Sequence, residues 1–82
     1  MNKDLPPLST SAISLRLGRY QHFKGGIYQV IGVARHSDDG LAELVVYRSE
    51  ADGGLWVRPL AEFLENIASD NYCGLRFKYL KE

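Results

Sequence analysis

Paired cysteines, long apolar runs and an excess of either charge are all missing from this sequence. With one cysteine, Cys73, no internal disulfide can form, which suits a reducing compartment. No apolar stretch approaches the roughly 20 residues that a membrane-spanning helix needs. Asp4, Pro6 and Pro7 stand where a secretory signal would carry its apolar segment, so no export signal is read and the cytoplasm is the expected compartment. Ten Lys and Arg offset ten Asp and Glu. Zero net charge gives no global pull on nucleic acid or anionic lipid, although a local patch can still act. No membrane partner is expected.

Metal and catalytic signatures are also lacking. Neither CxxC nor HxxxH occurs. His22 and His36 fall at opposite ends of one predicted hairpin, about 26 Å apart along the strand, too far to share a metal. No metal site and no cofactor are expected. Cys73 has no base beside it in sequence, and a plain free thiol accounts for it. Glu62 and Glu65 share a helical face, which a solvated surface explains. Nothing reads as a phosphate loop or a nucleophile elbow, so no catalytic residue is assigned.

What is present is a dense β-pattern. The chain has 82 residues, 45% of them hydrophobic, enough for one domain with a thin core. Residues 1–17 are expected to form a flexible tail with room for partial order, and residues 18–82 a single folded domain. Ala12–Leu17 suits a short strand or a turn of helix equally. Strands are predicted at Arg19–Phe23, Ile27–His36, Leu41–Ser49, Leu55–Arg58 and Leu75–Leu80. Turns fall at Lys24-Gly25-Gly26, Ser37-Asp38-Asp39-Gly40 and Glu50–Gly54. Pro59 opens a predicted helix, PLAEFLENI, with Leu60, Phe63, Leu64 and Ile67 on one stripe. Five short antiparallel strands with one short helix before the last point to a mainly β fold, a small SH3-like partly open barrel.

Pairing Phe23 with Ile27 and His36 with Leu41 sets a register. It places Tyr20 beside Val30 and Tyr47, and His22 beside Tyr28 and Ser49, all on the face of Val45. Ile27, Ile31, Val33, Leu44 and Val46 take the other face, which reads as the core. The tyrosine face reads as half-buried, with polar tips toward water. Cross-strand aromatic pairs stabilise a sheet by about 0.2–1 kcal/mol each without any ligand, so packing explains these tyrosines as well as a site does. Trp56 is read as a core or wall residue beside Arg58.

The ordered pattern GRYQHFKGGIYQVIGVARHSDD, ELVVYR, GLWVRPLAEFLE and a final RF resembles domain-of-unknown-function family 1653, from Gly18 to Phe77. The resemblance implies a small stand-alone bacterial protein with no assigned activity. Its motif positions include Gly18, Arg19, Tyr20, His22, Lys24, Gly25, Tyr28, Arg35, His36, Tyr47, Trp56, Arg58, Phe63, Arg76 and Phe77. Leu75 stands where the family has Pro before the final Arg-Phe, and Glu62 where it often has Met.

The functional expectation is a non-catalytic binding module. Its aromatic-basic face would comprise Tyr20, His22, Lys24, Tyr28, Arg35, His36, Tyr47, Trp56, Arg58 and Arg76. A protein or peptide, or a small ligand, ranks first as partner, and the molecule is expected to be a monomer or weak homodimer. Single-stranded nucleic acid ranks second, because rings interleaved with Arg and Lys can stack bases and contact phosphates. An enzyme using His22 or His36 as acid or base ranks last.

Overall fold

Strand-forming runs separated by Gly- and Asp-rich turns build one antiparallel sheet. The computed structural model describes residues 6–38 and 40–81. Residues 1–5 of the expected tail, Asp39 of the expected turn and Glu82 lie outside the described residues. In chain order the elements are α1 (Thr10–Ser14), β1 (Gly18–His22), β2 (Ile27–Arg35), β3 (Glu43–Ser49) and β4 (Leu55–Pro59). They continue with α2 (Leu60–Phe63), β5 (Asn66–Ala68), β6 (Cys73–Leu75) and β7 (Phe77–Lys81). The main sheet runs β4-β3-β2-β1-β7, and β5 pairs with β6 as a separate hairpin. The predicted mainly β, partly open barrel is what is observed: the sheet has two free edges, β4 and β7.

The first hairpin differs from its expected register by two residues. Tyr20 faces Tyr28 instead of Val30. The loop is Phe23-Lys24-Gly25: the Gly25 N–H bonds to the His22 carbonyl at 2.7 Å, and the His22 N–H to the Gly26 carbonyl at 2.8 Å. Gly25 takes a φ of +110°, the positive value this three-residue loop requires at its last position. An even slip keeps every side chain on its predicted face.

The second hairpin begins in the predicted register, with Val30 opposite Tyr47, and then slips by one residue at Ile31. This β-bulge turns Val33 inward opposite Val45, where alternation alone would have turned it outward. The predicted core face is thereby corrected. Ile31 is exposed, and Ile27, Leu44 and Val46 are only half-buried. The tyrosine face holds the core instead: Tyr20, Val30, Val45 and Tyr47 pack with Ala12, Leu60, Phe63 and Phe77. The physical reason is cover. α1, α2 and β7 supply Ala12, Phe63 and Phe77 to this side, and large rings exclude more water per residue than aliphatic chains do.

The predicted helix is also corrected. It is one turn long, and only Leu60 and Phe63 of its stripe are buried. Asn66-Ile67-Ala68 is a strand instead. Ser69–Tyr72 closes a tight turn, with the Ser69 N–H donating to the Tyr72 carbonyl at 2.8 Å, and β-branched Ile67 gains a strand partner in Gly74. Before β1, Ser9 caps α1: its Oγ accepts from the Ala12 N–H at 3.1 Å. The same hydroxyl and the Ser9 N–H both donate to the Glu43 carboxylate, each at 2.7 Å. Those bonds hold Glu43 below the usual carboxylate range.

Candidate functional site

The register sets three rows on the covered face. Phe77 lies opposite His22, Tyr47 opposite Trp56, and Val45 opposite Arg58. Phe77 is the hub. Its ring stacks on Phe63 at 4.1 Å and 10°, and Tyr47 meets it at 5.4 Å, Tyr28 at 5.9 Å and His22 at 4.9 Å. The Arg58 guanidinium lies 5.9 Å from the same ring centre. Thus an imidazole and a guanidinium both meet the ring that Phe63 stacks against.

Local bonds fix both polar groups. Arg58 Nε donates to the Tyr47 hydroxyl at 3.4 Å, and its Nη1 pairs with Glu62 at 3.3 Å, one helical turn on. The Tyr47 contact above all keeps Arg58 protonated. His22 Nδ1 accepts from the Lys24 N–H at 3.1 Å. The neutral ring therefore carries its proton on Nε2, which is left as a donor. Burial against the rings lowers the histidine's proton affinity, and the positive field of Arg58, Arg76 and Lys24 lowers it further. Arg76 is anchored by Glu65 at 2.7 Å, while its buried Nε has no acceptor among the described residues.

The sequence-derived residues divide into three groups. His22, Tyr28, Tyr47, Arg58 and Arg76 converge on or beside Phe77, with Trp56 in the next row and 55% exposed. Trp56 is not the core or wall residue expected: it lies largely open on the edge strand β4. Tyr20 is deep in the core, in contact with Phe63 and Tyr79, and its hydroxyl donates to the Arg16 carbonyl at 2.7 Å. Lys24 stands exposed at the hairpin tip. Arg35 and His36 belong to the opposite end of β2, where they brace a turn: Arg35 donates to the Gly40 carbonyl, and His36 Nδ1 accepts from the Asp38 N–H.

Phe77 is the residue that sequence reasoning left out of the site, although its Arg-Phe pair was in view. Phe23 and Tyr72 were missed too. They stack at 5.4 Å and, with His22 and Lys78, line a cavity of about 290 Å³. A larger hollow of about 410 Å³ lies elsewhere, between α1, α2 and β3. None of its lining residues is basic, and its Glu43 is already bonded to Ser9, so it does not compete as the site.

A family model described as a protein of unknown function, DUF1653, matches residues 18–79, which span every element of this patch. The chain belongs to the DUF1653 family. A crystal structure of a DUF1653 protein from Bordetella bronchiseptica is similar, with a TM-score of 0.74 and 29% identity over 84% of this chain and 91% of that one. No curated protein matches the chain. Among the described residues no helix is long and apolar enough to cross a membrane. Within the DUF1653 motif, His22 and Arg58 are polar residues that the fold brings to the Phe77 ring, together with Tyr28, Tyr47 and Phe63.

Proposed function

We propose that this DUF1653 protein is a non-catalytic binding module. Its patch on Phe77 takes a peptide or small ligand that presents a negatively charged group. The observation that carries this reading is the placement of His22 and Arg58 on the same ring. A carboxylate or phosphate held there would accept from Nε2 of His22 and from the Arg58 fork, a charge-assisted arrangement. Exposed Trp56 and half-buried Tyr28 would flank it with apolar surface.

NMR titration of the labelled protein with acidic and basic peptide pools tests this. Acidic peptides should shift the signals of His22, Arg58 and Trp56 and raise the His22 pKa, because a bound anion offsets the cations around it. Absence of shifts from both pools at millimolar ligand would sink the reading.

A second reading rests on exposed Trp56 beside Arg58, a stacking platform next to a phosphate-binding cation. Single-stranded oligonucleotides in the same titration separate the two. Their binding would weaken steeply with salt.

A further inference from the structure

The two edges of the sheet are unlike. β7 carries Lys78 and Lys81, the charged protection usual on a free edge. β4 has Leu55, Trp56 and Val57 in succession, each more than half exposed, and its one charge, Arg58, is turned inward to Tyr47 and Glu62. The hydrogen-bond phase of β4 follows from two bonds. The Ser49 N–H donates to the Gly54 carbonyl, and the Glu50 N–H to the Ile27 carbonyl. In an antiparallel ladder the peptide groups alternate sides. Those of Trp56 and Arg58 therefore face β3, and those of Leu55 and Val57 face outward, where no strand of the described residues receives them.

We infer that β4 is the interface for a second copy of this chain, paired antiparallel about a two-fold axis at Val57. The segment Leu-Trp-Val-Arg-Pro is self-complementary in that register. The Val57 groups of the two copies would exchange both backbone bonds. The ladder would end there, because Pro59 has no N–H and, as the N-cap of α2, commits its carbonyl to the helix. Trp56 would stand opposite Arg58 of the second copy, twice by symmetry, so that no charge is set against a like charge directly across the seam. On the outer face, Val57 already lies opposite Val46, so the two valine pairs would join into one apolar row across the seam. Like charges meet nowhere along this strand pair.

Sedimentation equilibrium up to millimolar protein tests the inference, with Val57→Lys and Val57→Pro beside the wild type. The wild type should dimerise. Each variant should weaken the dimer by about tenfold or more while melting as the wild type does, since Val57 is 59% exposed and its N–H faces away from β3. In a Cys73→Ser background, Val57→Cys should oxidise to a covalent dimer, because directly opposed strand residues lie within disulfide reach. Trp56→Cys, offset from its own copy, should not. A wild type that stays monomeric at millimolar concentration overturns the proposal. So does a dimer that Val57→Lys leaves intact, or one in which Trp56→Cys cross-links and Val57→Cys does not.

Discussion

Arg58 and Phe77 are joined through space: the guanidinium sits 5.9 Å from the ring centre while its Nε donates to the Tyr47 hydroxyl at 3.4 Å. The arginine thus closes the open side of the aromatic cluster. Arg58→Ala should lower stability by about 1 kcal/mol. Tyr47→Phe should remove the same bond, so the double variant should cost less than the sum of the two. Urea unfolding of all four proteins measures that coupling, and strict additivity would show that the bond contributes nothing. Arg58→Lys keeps the charge but not the fork, so it should restore only part of anionic-ligand binding.

Acid should unfold this protein partly through His22. Burial, then Arg58, Arg76 and Lys24, hold its folded value below the ordinary 6.5. As pH falls through 6.5, the unfolded chain takes its proton first, and proton binding then favours unfolding. The neutral imidazole's contribution is therefore complete above 6.5 and is lost as pH falls through the folded value. Urea midpoints between about pH 8 and about pH 5 should fall more steeply for the wild type than for His22→Gln. Parallel curves would contradict this.

Ser9 should hold α1 to the sheet. Its hydroxyl caps the helix and donates to Glu43 at once. Ser9→Ala should cost about 1 kcal/mol and speed hydrogen exchange of the α1 amides. Glu43→Gln should produce the same local loosening with the cap left in place. Unchanged exchange in both would mean that Ala12 burial alone docks the segment.

Phe77 should be the least replaceable ring. It stacks on Phe63 at 4.1 Å and touches Tyr28, Tyr47 and His22. Phe77→Ala should cost about 3–5 kcal/mol, enough to leave a domain of this size largely unfolded. Phe77→Leu is the gentler variant, and its near-ultraviolet circular dichroism should show the loss of ring order directly.

The strands and turns were legible because Gly, Asp and β-branched residues mark them locally. β1 to β4 all fall within two residues of their predicted bounds. Legibility failed where the decisive interaction is long-range. Nothing near Leu60–Ile67 says that Asn66 and Ile67 will leave the helix to pair with β6. Nothing in the alternation of β2 announces an extra residue at Ile31. Which face is core depended on β7 and α1 arriving from the chain ends to cover the tyrosines. For the site, His22, Arg58 and Trp56 could be named in advance, but their common support, Phe77, could not, since its partner is His22, far back in the chain.

The misfit at Ile31 has a bearing on how this domain can evolve. Along β2, odd and even positions exchange tolerance halfway. Before the break, Gln29 accepts polarity and Val30 does not; after it, Val33 packs against the core while Ile31 stays wet, although both are odd-numbered. A saturation scan of the strand would therefore read as two short strands out of step. Deleting Ile31 would bring the pattern back into step and leave Val33 in the core opposite Val45.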